Sequence, residues 1–297
     1  MISIETLTDI FSEDAENLHK YLKNKNKGGV NNSKGNCFEN FVAIYNIAKL
    51  FNESVNHEHT LLSSQKLTFI DDFIIEKKDK VEVIYQQIKD VQVLDWISGK
   101  HPLQLDFEMQ FKVAKHDKID STLELIVSKK EVFESLLNGL PEKIKYVKVV
   151  HFIGGISVQS LIMQNAVLKE HLIKMCALQN PSTDKLEALA TIILGTWDGC
   201  DKNHVSLDKL LNKCYSQNPH YIKGFDNKIS NRLSEIFKSV KYFSFNINNG
   251  FIQWEYNGTD LGTVSYRIGS KEFEQFENDL FANENIKSFN DLEQYLI

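Results

Sequence analysis

Several things are scarce in this 297-residue chain, and each absence excludes a class. Cysteine is rare: Cys37, Cys176, Cys200 and Cys214 stand far apart with no C-x-x-C pair. That pattern excludes a disulfide framework and a sequence-local zinc knuckle, and it suits free thiols in a reducing compartment. No run approaches the roughly 18 apolar residues that span a bilayer. The most apolar stretch, Val149 to Met163, is interrupted by His151, Gly154, Gly155, Ser157, Gln159 and Ser160. The opening MISIETLTDIFSEDAE is acidic and has no basic segment ahead of an apolar one, so a signal peptide is not expected. Excess positive charge is missing too, with 34 Lys and Arg against 40 Asp and Glu, a net charge of -6. A globally basic nucleic-acid binder is thereby excluded, whereas a local positive patch is not. There is no internal repeat. A cytoplasmic protein that does not engage a membrane is expected.

What is present is the balance of a globular protein, 42% hydrophobic and 25% charged, enough apolar material for a core without a staple. Apolar positions at Ile4, Leu7, Ile10 and Phe11 predict an amphipathic helix over 3–23. The polar KNKNKGGVNNSKGN, Lys23 to Asn36, predicts a loop or hinge. A mostly buried helix is expected over 37–52, with Gly35 just ahead of it. Strands rich in β-branched and aromatic residues are expected at Lys66–Ile75 and Val81–Lys89, joined by a polar turn. A helix at 103–114, a strand at 121–128, a short helix ending at Gly139 and Pro141, and a strand at 146–153 complete a first half. After Gly155 the pattern becomes helical, at 156–178, at 183–196, in a short helix opened by Val205 and Ser206, and near 227–240. A hairpin with Asn249-Gly250 at its turn and a last helix from about 270 to 281 follow. The lysine runs Lys20, Lys23, Lys25, Lys27 and Lys143, Lys145, Lys148 read as solvated faces.

One constellation carries chemistry. Residues two apart on a strand share a face, so Gln87 and Lys89 project together. If the two strands pair, an aspartate at the start of the apolar stretch of the first can lie beside them. Either Asp71 or Asp72 faces that cleft; Asp72 directly abuts the apolar run Phe73-Ile74-Ile75 and is the choice. Ile88 then points into the core and offers a backbone carbonyl to the cleft. A carboxylate, an amide oxygen and an ammonium in one place suit phosphodiester hydrolysis assisted by Mg²⁺, which takes hard oxygen ligands. Glu39, at the start of the 37–52 helix, is placed to add a second carboxylate, although a glutamate in a first helical turn is also favoured by the helix dipole.

Asp72…Gln87-Ile88-Lys89 resembles the PD-(D/E)XK nuclease motif in its D…QxK form. Gly28, Gly29 and Gly35 ahead of a helix bearing Phe38-Glu39-Asn40, then Ile70-Asp71-Asp72, Tyr85-Gln86-Gln87-Ile88-Lys89 and Trp96, resemble the double-strand DNA nuclease domain of CBASS and Lamassu-type anti-phage effectors. The similarity covers about half the chain. It implies an α/β fold, a restriction-endonuclease-like mixed sheet flanked by helices. It implies Mg²⁺ (or Mn²⁺) held by Asp72, Gln87, Glu39 and the Ile88 carbonyl, with Lys89 assisting the attacking water. It further implies double-stranded DNA as substrate, a homo-oligomer in the active state, and a bacterial defence role. Gln87 departs from the motif, since an amide ligates without bringing charge. The C-terminal half does not resemble a cyclic-nucleotide sensor, which favours a Lamassu-like effector working with an SMC-like ATPase.

The expected organisation is an N-terminal helix and linker (1–27), a nuclease domain (28–155) and a mainly helical regulatory or docking domain with a hairpin (156–297), whose helix-then-hairpin order suggests a winged helix. The rival class is a catalytically inactive nuclease-fold scaffold within a defence complex. Other candidates have plainer readings. His57 and His59 lack Cys or Asp partners. His101 and His116 flank a helix as surface histidines. Cys200 and Cys214 have no evident base. Gly154-Gly155 is a turn and not a phosphate loop.

Overall fold

The structure is a computed structural model. It describes residues 2–31, 37–53, 57–99, 101–154, 157–223, 229–248, 251–266, 268, 271–283 and 286–296. The chain forms two compact units, Met1–Asn218 and Pro219–Ile297.

The first unit is built on a six-stranded mixed sheet of β1 (Thr60–Ser63), β2 (Phe73–Lys77), β3 (Glu82–Lys89), β4 (Asp120–Val127), β5 (Lys148–His151) and β6 (Val205–Ser206), in the order β5-β4-β3-β2-β1-β6. β1, β2 and β3 run antiparallel, β1 and β2 joined by the irregular stretch 64–72 and β2 and β3 by a short turn. β3, β4 and β5 run parallel, which requires crossovers. Helices α4 (Leu103–His116) and α5 (Lys130–Asn138) supply them. The alternation of β4 shows why the sheet is covered on both sides: Leu123, Leu125 and Val127 join Ile74, Tyr85, Phe107 and Leu136 in one core, while Ile126 is buried on the opposite face. On that opposite face Phe73 packs against Trp197 of α8 (Thr183–Asp198), and Gln86 meets Asn46 of α3 (Cys37–Glu53).

Several expectations shift. The single helix over 3–23 is two, α1 (Ile4–Phe11) and α2 (Ala15–Asn31), broken where Ser12 takes a left-handed φ of 47°. Helix α2 continues through Gly28 and Gly29 to Asn31 where a loop was expected; Gly35 lies outside the described residues. Its interior stripe explains the extension: Leu18 and Leu22 are buried with Leu7, Phe69 and Val113, which anchors the helix by packing despite poor propensity further on. The stretch 66–72 is irregular and the strand begins only at Phe73. Side chain–backbone and turn bonds compete there, with Thr68 Oγ1 donating to the Ile70 carbonyl at 2.7 Å and the Gln65 N–H to the Asp71 carbonyl at 2.7 Å. The expected helix over 156–178 is α6 (Val158–Gln164) and α7 (Ala166–Met175), divided at Asn165, whose side chain caps α7 through the Leu168 N–H. Val205 and Ser206 do not open a helix. They pair with Leu62 and Leu61, and α9 (Leu207–Gln217) starts after them. That pairing, with α7 and α8 packed on α3, keeps residues 157–218 in the first unit. The compact units therefore divide after Asn218, not after Gly155, and 1–27 belongs to the first of them.

The second unit holds α10 (Asn231–Ser239), an antiparallel sheet β7 (Phe243–Asn248), β8 (Phe251–Tyr256), β9 (Asp260–Thr263), then α11 (Lys271–Ala282) and α12 (Phe289–Leu296). The hairpin was expected; β9 and α12 were not, and Asn249-Gly250 lies outside the described residues. Leu233, Phe237, Ile252, Val264, Leu280 and Leu292 are fully buried together. Gly262 lets the Trp254 indole lie against the β9 backbone: a Cβ there meets the ring at 2.3 Å. Among the described residues no helix is long and apolar enough to cross a membrane.

Candidate functional site

The β2–β3 register pairs Phe73 with Gln86 and Ile74 with Tyr85, which places Asp72, one residue ahead of β2, at the level of Gln87. The preceding loop fixes it there, because Ser64 Oγ donates to the Asp72 carbonyl at 2.8 Å. Asp72 Oδ2 accepts from three donors: the Gln87 side-chain amide, the Ile88 N–H at 2.7 Å and Lys89 Nζ at 3.2 Å. The three residues chosen from sequence thus converge. The Asp72 side chain is 8% exposed and that of Lys89 35%, so the lysine head reaches solvent from a buried carboxylate. Ile88 enters through its N–H, and its side chain is buried in the core as expected.

Glu39 approaches from α3, on the other side of the sheet. Burial, and after it the neighbouring Asp72 charge, raise its carboxyl to about 7, while Lys89 opposes. Glu39 thus shares the electrostatic environment of Asp72 and Lys89. Near neutral pH it stands poised between its neutral and charged forms.

Asp71 does not turn to solvent. It points to a second cluster, where its Oδ1 stands 3.3 Å from Lys25 Nζ, with 2% exposure. Lys25 also donates to the Phe69 carbonyl, to Asp106 Oδ2 at 3.3 Å and to Gln87 Oε1 at 3.4 Å. Tyr21, one helical turn before Lys25, donates to both oxygens of Asp106 at 3.0 Å, and its ring stacks on His101 at 3.8 Å. Burial alone would lower the Lys25 ammonium, but Asp71, Asp106 and Asp72 outweigh it and raise it, so it stays charged. Burial raises Asp71 and Asp106, with Lys25 holding both down.

Lys25, Asp106 and Tyr21 were not singled out from sequence, and Lys25 was expected to be solvated. A signal existed: Leu18, Leu22 and Lys25 fall at i, i+4 and i+7, so the lysine ends an apolar stripe. Lys20, Lys23, Lys143, Lys145 and Lys148 are exposed, as expected.

The remaining candidates stay apart from the cleft. His57 Nε2 lies 3.2 Å from the Phe51 carbonyl, and burial lowers its pKa. His116 pairs with Asp117. Burial pushes the Cys214 thiol up to about 11, which removes it as a nucleophile. Trp96 is buried and donates to the Leu136 carbonyl at 3.0 Å. A Cβ at Gly154 would meet the Phe38 ring at 3.2 Å, so this glycine serves close packing.

Among the described residues no group of three or more His, Cys, Asp and Glu side chains is placed to hold a metal ion. The donor set beside Lys89 is smaller in acids: Asp72, with Glu39 near it, and the amide of Gln87. These are hard oxygen ligands and fit Mg²⁺ or Mn²⁺ in type. Comparison with protein-family models, with curated proteins and with solved structures finds no match.

Proposed function

We propose that this chain is a metal-dependent endodeoxyribonuclease of the PD-(D/E)XK type, with Asp72, Glu39 and Gln87 as metal ligands and Lys89 as the residue that assists the attacking water. The observation that carries the reading is the convergence of Asp72, just ahead of β2, with the Gln87-x-Lys89 pair on the adjacent antiparallel β3. The arrangement of a helix, three antiparallel strands and parallel crossovers supports a restriction-endonuclease-like fold. When bound, the metal would polarise the phosphoryl group and lower the pKa of a water. The chain's own residues supply the rest. Lys89 sets a positive charge where a phosphorane would gain negative charge, and it is exposed enough to meet DNA. Glu39 either joins the ligands as a carboxylate or holds a proton there. Double-stranded DNA as substrate, oligomerisation on activation, a bacterial anti-phage role and an SMC-like ATPase partner rest on the motif resemblance.

A second reading has its own support. Asp72 Oδ2 is already occupied by three donors, the arrangement of a site that needs no cation. In that reading the chain is an inactive scaffold of a defence complex. Cleavage of double-stranded DNA with Mg²⁺, measured for the wild type and for Lys89→Ala and Asp72→Ala, separates the two. The nuclease reading expects loss of cleavage in both variants with unchanged circular dichroism. Unchanged cleavage by a folded Lys89→Ala protein would remove it.

A further inference from the structure

We propose that Lys25 is a positioning residue that holds the Gln87 amide turned away from metal ligation, so that helix α2 latches the cleft. The proposal rests on the metal-binding reading above. Lys25 is a donor-only group and the Asp72 carboxylate is acceptor-only. Gln87 lies between them. Its Oε1 faces Lys25 Nζ at 3.4 Å, and its Nε2 donates to Asp72 Oδ2. An amide orientation is fixed by its partners, and here both partners demand the same one. Turning the amide over would set its NH₂ against the ammonium and its carbonyl against the carboxylate, two repulsive contacts. Yet a cation shared by Asp72 and Gln87 needs that reversed orientation, because only the amide oxygen ligates. While Lys25 stays, Gln87 offers a metal its wrong end.

The latch is well anchored. The ammonium is surrounded by oxygens of Phe69, Asp71, Asp106 and Gln87. Its side chain is only 20% exposed. Asp106 is itself held by Tyr21, four residues before Lys25 on the same face of α2. A displacement of α2 would release Tyr21 and Lys25 together and free the amide to turn. An acidic residue at position 87 would have no wrong end, so the departure from the motif is what makes such control feasible.

The test is a calorimetric titration of the full chain with Mn²⁺ in the wild type, Lys25→Met, Gln87→Ala and the double variant. The latch expects Lys25→Met to tighten Mn²⁺ at least about tenfold with Gln87 present, and less than about threefold in the Gln87→Ala background, a coupling that charge removal alone does not produce. An equal gain in both backgrounds, or none, overturns the latch while leaving the metal site standing. No heat in any of the four proteins overturns the metal reading and the latch with it. A measurement on the wild type guards against a misfolded variant. Its Gln87 side-chain NH₂ resonances, identified by their loss in Gln87→Ala, should exchange slowly with solvent without metal and quickly with saturating Mg²⁺. Rapid exchange in the metal-free protein overturns the latch.

Discussion

Lys89 Nζ, at the end of β3, stands 3.2 Å from Oδ2 of Asp72, which lies one residue ahead of the antiparallel β2. The pair sets an ammonium, one-third exposed, against a carboxylate that is almost fully buried. Removing either partner has a cost the other side reveals. Asp72→Ala leaves the Ile88 N–H without its acceptor and Lys89 without its counter-charge, so a loss of about 1–3 kcal/mol in stability is expected. Lys89→Ala leaves Asp72 with two neutral donors and should cost less. Urea unfolding of both variants checks the order, and the reverse order would mean that the buried Asp72 charge left without Lys89 costs more than all the bonds Asp72 makes.

Glu39 gives the site a pH dependence. Its folded pKa is about 7 against an ordinary value of about 4.5. As pH rises between those values the unfolded chain ionises and the folded one does not, so stability falls across that window and stays lowered above it. Glu39→Gln removes the effect. Its melting temperature relative to wild type should be near zero difference at pH 4 and clearly positive at pH 8. The same proton should oppose metal binding, so wild-type Mn²⁺ affinity should rise from pH 6 to pH 8 and that rise should vanish in Glu39→Gln.

Gln87→Glu tests the missing charge. A glutamate cannot donate to Asp72 as the amide does, so two carboxylates would face each other in a buried cleft. The metal-free variant should melt below wild type, and saturating Mn²⁺ should raise its melting temperature more than it raises that of wild type. Equal shifts would show that position 87 does not touch the cation.

The opposite face supplies a control. Asn46 Nδ2 donates to Gln86 Oε1 at 2.7 Å, and Gln86 Nε2 to Glu124 at 2.8 Å. Asn46→Ala strands a buried amide oxygen, with an expected loss of about 1–3 kcal/mol and no change in Mn²⁺ affinity. A changed affinity would mean that the two faces of β3 are coupled.

In the second unit, Gly262→Ala forces a Cβ into the Trp254 indole, with its nearest ring atom at 2.3 Å. The unit's core is drawn wholly from residues 233–296. Differential scanning calorimetry should show the transition of that unit lowered or lost and the transition of residues 1–218 unchanged.

Local pattern made much of the first unit legible. Strands β3 and β4 were visible because β-branched runs with polar ends have few alternatives, and α3 because its apolar residues recur at helical spacing. Strands of two to four residues, β1 and β6, carry too short a pattern to be read, and their pairing depends on each other. Asp72, Gln87 and Lys89 were legible because a two-residue strand spacing fixes a common face and a short turn brings the neighbouring strand alongside. Helix α2 beyond Lys23 was not, since its polar sequence is held by the packing of Leu18 and Leu22 on Phe69 and Val113.

The sequence by itself determined that Gln87 and Lys89 share one face of β3, because side chains two apart on a strand point the same way, and it offered an aspartate to meet them once the neighbouring strand pairs. Tertiary structure alone decided which end of Gln87 faces Asp72. That orientation is set by Lys25, 62 residues earlier in the chain, through a contact that no local pattern encodes.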